Sequence, residues 1–136
     1  MLLQPKKTKY RKMQRGRLRG AATRGTQLSF GEFGLQSTET AYVHGRELEA
    51  ARRAMSHFVQ RGGKVWIRVF PDKPMTARPA ETRMGGGKGA PAFFVAPVRR
   101  GHILFELSGV NRENAHEAFR LASHKLSVET RIVEKM

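Results

Sequence analysis

The chain of 136 residues contains no cysteine, so it offers neither a disulfide nor a thiolate ligand for a metal. It also lacks an apolar run of about 18 residues, which a membrane-spanning helix requires. The basic N-terminus is not followed by the apolar stretch of a signal peptide. The length predicts one domain of ordinary size. From the absences we expect a reducing, aqueous compartment, with the cytoplasm as its location.

Acidic residues are scarce: 11 Asp and Glu stand against 26 Lys and Arg, which gives a formal net charge of +15. A compact body with this charge repels itself unless a polyanion lies nearby. Membrane lipid also carries negative charge, but the most basic segment has no broad apolar face of the kind that membrane-surface helices bury. We therefore expect a nucleic acid partner and no membrane.

Much of this charge lies at the start of the chain. Residues 1–24 contain nine bases and no acid, whereas residues 25–63 contain four of each. We interpret 1–24 as a basic N-terminal arm and 25–136 as a single RNA-binding domain. The arm has too few large apolar groups to fold alone, so we expect it to become ordered on RNA, although a solvated tail is the alternative. The arm cations predicted to bind RNA are Lys6, Lys7, Lys9, Arg11, Lys12, Arg15, Arg17, Arg19 and Arg24.

Apolar periodicity predicts two helices and several strands in the rest of the chain. The helices run from Arg46 to Arg61 and from a cap at Asn111 to about Leu126. Arg99, Arg100 and Gly101 are predicted to form a hairpin turn. These elements predict an α+β fold with a mostly antiparallel sheet and two helices packed on one face. The predicted strands are Thr26–Leu35, Thr38–Val43, Lys64–Phe70, Ala92–Val98, His102–Leu107 and Val128–Val133.

Arg52 and Arg53 lie beside the apolar stripe of the first helix. A solvated helix face and a contact with RNA explain them equally well, and both interpretations remain open here.

Residues 71–91, PDKPMTARPAETRMGGGKGAP, form a long segment rich in proline and glycine without an apolar period. Such loops inside a domain are usually functional or disordered. Its cations stand on a backbone that turns sharply and approaches a partner closely, which suits a sugar-phosphate chain. A surface linker is the alternative.

No motif predicts catalysis. GGGKG at 85–89 fails as a phosphate-binding loop, because Gly89 follows Lys88 where that motif has Ser or Thr. None of the five histidines has a recognised metal-ligand spacing, and we expect each to be superficial or structural. We therefore expect no enzyme activity, no cofactor, no metal and no small-molecule substrate.

Four segments together carry a resemblance to a known family. They are LLQPKKTKYRKMQRGRLRG (Leu2–Gly20), GTQLSFGEFGLQ (Gly25–Gln36), EAARRAM (Glu49–Met55), and KVWIRVFPDKP through RMGGGKG (Lys64–Gly89). With them the chain resembles bacterial-type large-subunit ribosomal protein sixteen over nearly its whole length. The last block is the most specific, and FELSGV at Phe105–Val110 adds to the match. Phe93, Phe94 and an extra leucine near the start depart from the usual pattern, and none of these is a charged contact.

The resemblance implies a hammerhead-type α+β fold and a structural role in the large ribosomal subunit, near the peptidyl-transferase region. It implies that the arm, Arg52 and Arg53 face ribosomal RNA, and that neighbouring ribosomal proteins are partners. It further implies that the loop contacts transfer RNA at the A site during translation, with the P site left open. The implied transfer-RNA-facing residues are Arg78, Arg83, Met84, Gly85, Gly86, Gly87, Lys88 and Gly89.

Two other functions share part of this pattern. A free-standing basic protein for ribosome assembly or nucleoid binding has the same charge character. A nucleotide-dependent transferase that uses Lys88 would bind nucleotide tightly, although no motif supports it. The sequence leaves open which RNA helices are contacted, the order of assembly, any modification of Arg83, and whether the source is a bacterium or an organelle.

Overall fold

The computed structural model describes residues 4–7, 10, 12–13, 16, 18–60, 62–77, 88 and 90–135. Every pairing between the named strands is antiparallel. The predicted α+β class with two helices is confirmed. In chain order the elements are β1 (Phe33–Ser37), β2 (Ala41–His44), α1 (Gly45–Val59), β3 (Lys64–Ile67), β4 (Lys73–Ala77), β5 (Ala90–Val98), β6 (Ile103–Ser108), α2 (Arg112–Ser123) and β7 (Thr130–Glu134).

The strands form two sheets, with orders β3-β6-β1-β7 and β2-β5-β4. The predicted hairpin between Ala92–Val98 and His102–Leu107 is therefore wrong, because β5 and β6 belong to different sheets. Gly101, at φ 95°, lets the connection turn from one sheet to the other. The short connection between β5 and β6 indicates a reversal of the chain at Gly101. β6 nevertheless pairs with β1 and β3, which are distant from it in the sequence.

The first helix begins at a capping box formed by His44 and Glu47. The Nδ1 atom of His44 accepts from the Arg46 amide at 3.1 Å, and the Glu47 carboxylate accepts from the His44 amide at 2.8 Å. Gln60 follows the helix at φ 56°, so α1 ends two residues before the predicted Arg61. Its predicted apolar stripe is confirmed, since Leu48 and Met55 are fully buried.

The second helix has the predicted cap: the Asn111 side chain accepts from the Asn114 amide at 2.8 Å. It ends at Ser123, three residues before the predicted end at Leu126, because the chain continues there in turns. Both helices pack on one face of the four-stranded sheet. The buried core between these layers includes Leu48, Ala51, Met55, Ala115, Phe119 and Ala122 from the helices and Leu35, Phe105 and Leu107 from the sheet.

All six predicted strands differ in their bounds from the observed ones; those predicted at Thr38–Val43, Ala92–Val98 and His102–Leu107 lie at Ala41–His44, Ala90–Val98 and Ile103–Ser108. The strand predicted at Thr26–Leu35 begins only at Phe33, because the amides of Ser29, Phe30 and Gly31 donate to a side chain instead of a neighbouring strand. The strand predicted at Lys64–Phe70 ends at Ile67, although the Arg68 amide still donates to Leu104 O at 2.8 Å. The last strand lies at Thr130–Glu134 instead of Val128–Val133.

The segment predicted as a loop at 71–91 contains a strand at each end. β4 pairs with β5 in register Lys73 to Val95 and Pro74 to Phe94. Pro74 argued against a strand, but β4 is an edge strand, where a residue without an amide proton is tolerated. The loop is thus the tip of a hairpin, and most of that tip lies outside the described residues.

Glu106 is a fully buried carboxylate in β6, and it holds the segment that precedes β1. The amides of Gly31, Phe30 and Ser29 donate to it at 2.7, 2.8 and 3.1 Å, and the Arg68 guanidinium donates as well. Burial alone raises the pKa of Glu106. The hydrogen bonds from the amides and from Arg68 outweigh burial and hold that pKa below its ordinary value.

Glu106→Gln removes the charge that Arg68 faces and one acceptor for the amides. We expect the free energy of unfolding to fall by about 3 kcal/mol, as when one member of a buried ion pair is removed. Urea unfolding measures this. Glu117→Gln is the control, because Glu117 forms an exposed pair with Arg120 and should leave the urea midpoint nearly unchanged. Equal losses in both variants would contradict the assigned role.

The lowered pKa of Glu106 also fixes the pH dependence of stability. A carboxyl with a folded pKa below its unfolded value, about 4.3, stabilises the fold above that value and loses the contribution as the pH falls through the folded pKa. The difference in unfolding free energy between wild type and Glu106→Gln should therefore be constant from about pH 6 to 7 and shrink below about pH 4. A difference that grows on acidification would rule out this explanation.

Candidate nucleic-acid interface

The end of the basic arm is attached to the body by hydrogen bonds. The Ala22 amide donates to Arg100 O at 2.9 Å, and Thr40 Oγ1 donates to Gly20 O at 2.9 Å. The Arg99 side chain donates to Arg19 O at 3.2 Å. The arm therefore leaves the body beside the connection between β5 and β6, which fixes where its cations begin.

Gly25 lies where the arm enters the domain, at φ +68°, and its carbonyl accepts from the Ile103 amide at 2.7 Å. A Cβ at this position would lie 2.7 Å from His102 Nε2, so a larger residue would push the imidazole away. Burial lowers the pKa of His102, and the charges of Arg68 and Arg99 lower it further, so this histidine adds no charge to the surface at neutral pH.

The described arm cations are exposed to solvent. Among the residues that the structure describes, no carboxylate forms an ion pair with any of them. Their charge is therefore available to an external anion. These residues are Lys6, Lys7, Lys12, Arg19 and Arg24. The other predicted arm residues, Lys9, Arg11, Arg15 and Arg17, lie outside the described part.

The arm and the predicted loop meet at Lys88. Lys12 Nζ donates to Lys88 O at 3.0 Å, and Lys88 Nζ donates to Met13 O. Lys88 is exposed. The arm and the loop, which are far apart in the sequence, thus lie side by side at Lys12, Met13 and Lys88. The remaining loop residues of the prediction, Arg78, Arg83, Met84, Gly85, Gly86, Gly87 and Gly89, lie outside the described residues.

Arg52 and Arg53 have an intramolecular partner. The Arg52 guanidinium binds Glu49 at 2.5 Å and Arg53 Nε lies 3.2 Å from the same carboxylate. The hydrogen bond from Arg52 lowers the pKa of Glu49, so the acid is ionised at neutral pH. Arg53 keeps 67% of its side chain exposed, against 35% for Arg52. Of the two predicted residues, Arg53 is therefore the more accessible to an external partner.

A groove of about 940 Å³ lies between α1, the end of α2 and β5. His44 stacks on Phe93 at its wall, with ring centroids 4.5 Å apart. His44, His57 and His124 all line the groove but come from different parts of the chain. No spacing in the sequence indicates that they converge, so the groove was not predicted. Its cationic and titratable lining consists of His44, Arg46, Arg53, His57, His124 and Lys125, with Glu49 as the acid.

Within the described ranges, no group of three or more His, Asp or Glu side chains is arranged to hold a metal ion. No described helix is both long and apolar enough to cross a membrane.

Comparison with known proteins gives the family. Residues 5–133 match the family described as ribosomal protein L16p/L10e. The chain is also 54% identical over 132 residues to the large ribosomal subunit protein uL16c of Porphyra purpurea, which covers 97% of this chain and 95% of that relative. The resemblance inferred from the sequence motifs is thereby confirmed. The chain belongs to the ribosomal protein L16p/L10e family and is a structural constituent of the large ribosomal subunit, not an enzyme.

Proposed function

We propose that this protein binds large-subunit ribosomal RNA through its arm and the groove beside Arg53, and contacts transfer RNA through the tip of the β4–β5 hairpin. One observation carries the proposal: the arm lies against the hairpin tip, where Lys12 Nζ donates to Lys88 O and Lys88 Nζ donates to Met13 O. Arm and hairpin tip together form one cationic surface, which we call the arm–tip surface. It is defined by Lys6, Lys7, Lys12, Arg19, Arg24 and Lys88.

The arm–tip surface suits a sugar-phosphate chain for electrostatic reasons. Cations that are not paired within the protein release counterions from RNA when they bind, which provides affinity without reading sequence. Contacts to phosphate fix the position and orientation of a protein on nucleic acid. The folded body therefore sets the geometry, and the arm–tip surface neutralises phosphates around it.

The contact with transfer RNA rests on the family and on the hairpin. A hairpin of two paired strands carries its tip away from the sheet that anchors it, and a glycine-rich tip lets the backbone approach a partner closely. We infer that Arg78, Arg83 and residues 84–89 contact transfer RNA at the A site of the large subunit. The P site is a further position that the same tip would reach.

Two alternatives make different predictions. A free-standing assembly or nucleoid-binding protein would not sediment with mature large subunits on a sucrose gradient, whereas a constituent is present there in near-equal stoichiometry. A nucleotide-dependent transferase that uses Lys88 would bind nucleotide tightly, which calorimetry would detect. We propose the large subunit of a bacterial-type ribosome as the location, in a bacterial cytoplasm or in an organelle that makes its own ribosomal proteins.

The triple variant Lys6→Ala, Lys7→Ala, Lys12→Ala should bind protein-free large-subunit RNA with a weaker salt dependence. Each lost phosphate contact reduces the slope of log affinity against log salt by roughly 0.7 to 0.9, so the slope should fall by about 2 to 3. Filter binding across a salt series measures it. Arg112→Ala with Arg120→Ala is the matched control, because these cations are paired with Glu134 and Glu117 and should leave the slope unchanged. A slope that is the same in all three proteins would exclude the arm as a phosphate-binding element.

Arg83→Ala with Lys88→Ala should slow accommodation of aminoacyl-transfer RNA more than it reduces assembly of the subunit, because the tip contacts transfer RNA while other surfaces hold the protein in place. Pre-steady-state accommodation kinetics and sucrose gradients measure the two effects. The Arg112, Arg120 double variant again serves as the control. Unchanged rate and fidelity of translation in ribosomes that carry the tip variant would refute the contact with transfer RNA.

A further inference from the structure

The face of the four-stranded sheet opposite the helices carries a second pattern outside the arm–tip surface. Along β3 and the residues that follow it, Lys64, Trp66, Arg68 and Phe70 alternate with apolar residues that face the core. The strip thus reads cation, aromatic, cation, aromatic. It contains no acid between 64 and 70. Interleaved cations and aromatic rings are typical of surfaces that bind single-stranded nucleic acid.

Phe30 extends this strip into an aromatic stack. Its ring lies on Trp66, with centroids 5.8 Å apart and planes inclined by 20°. The Arg68 guanidinium lies 5.5 Å from the centroid of the same ring. Even so, 61% of Phe30 is exposed to solvent. Contacts within the chain therefore cover less than half of this side chain.

The exposed position of Phe30 is fixed by groups that are themselves buried. The amides of Ser29, Phe30 and Gly31 all donate to the buried carboxylate of Glu106. A Cβ on Gly31 would lie 2.5 Å from Leu107 O, so this backbone is pressed against β6. An aromatic side chain gains its hydrophobic stabilisation by leaving water. Holding one rigidly in solvent gives the fold little, and gives a binding partner a preformed surface.

We propose that Phe30 and Trp66 form a stacking site for an unpaired base of the large-subunit RNA, with Lys64 beside the adjoining phosphate. The inference rests on the proposed RNA-binding function and adds a base-stacking site that lies apart from the arm–tip surface. The charge of the strip favours RNA over a protein partner. Arg68 and the backbone amides compensate the charge of Glu106, so the exposed Lys64 leaves the strip positively charged. Every base has a π face, so the site accepts bases without reading sequence.

Trp66 is the only tryptophan of the chain, so its fluorescence reports directly on this site. The test uses the full chain and two probes: a single-stranded oligoribonucleotide of mixed sequence, and an abasic strand with the same number of phosphates. Wild type should bind the strand with bases roughly 5- to 100-fold more tightly than the abasic strand, the range expected for stacking on one aromatic group. Only the strand with bases should change the Trp66 emission.

Phe30→Leu should abolish the preference for bases and leave the salt dependence unchanged, because it removes a ring and no charge. Phe30→Tyr should retain the preference. Tyr42→Leu removes a ring from β2, in the other sheet and outside the groove, and should keep the preference for bases. Phe30 is largely exposed, so thermal unfolding of its variants should match wild type.

The outcomes separate this inference from the proposed function. Equal binding of both strands by wild type, or an undiminished preference in Phe30→Leu, overturns the stacking site and leaves phosphate binding intact. Binding of neither strand overturns both. In intact large subunits, a photoreactive phenylalanine derivative in place of Phe30 should crosslink to ribosomal RNA. Crosslinks to a neighbouring protein alone would overturn the stacking site.

Discussion

Repulsion between like charges is the constraint on which the structure depends. With 26 basic and 11 acidic residues, the chain cannot bring all its cations into one compact body without a high electrostatic cost. The described residues show how the fold meets this constraint. All 11 acids lie outside the arm, and among the described residues four of them pair with arginines of the body. The arm therefore carries nine of the 15 net positive charges.

Four acids in the described part of the chain form ion pairs with arginines. Glu49 binds Arg52 and Arg53, Glu106 binds Arg68, Glu117 binds Arg120, and Glu134 binds Arg112. Glu47 has a structural role as well, since it accepts from the amides of His44 and Ser127 and joins the start of α1 to the segment before β7. The described cations of the arm have no carboxylate partner among the residues that the structure describes.

Sequence reasoning predicted the parts of the fold that depend on local pattern. Both helices and the Asn111 cap of α2 could be predicted, because a capping side chain and the three-and-four spacing of apolar residues act over short distances. It failed where the deciding contact is distant. The assignment of β5 and β6 to different sheets depends on β1 and β3, and the late start of β1 depends on Glu106, 75 residues beyond Gly31. β4 was missed because Pro74 is unfavourable in most strands but acceptable at an edge. The groove was also missed, because its lining residues are far apart in the sequence. The excess charge of the arm, in contrast, was evident from composition alone.

The most direct test of the central claim is a map of ultraviolet crosslinks between this protein and RNA in intact large subunits, with and without transfer RNA in the A site. The account predicts that peptides from residues 1–24 crosslink to large-subunit RNA in both states. Peptides from the hairpin tip should crosslink to transfer RNA only when it is bound. A particle that contains the protein, yields crosslinks from its other regions and yields none from the arm or the tip would contradict the account.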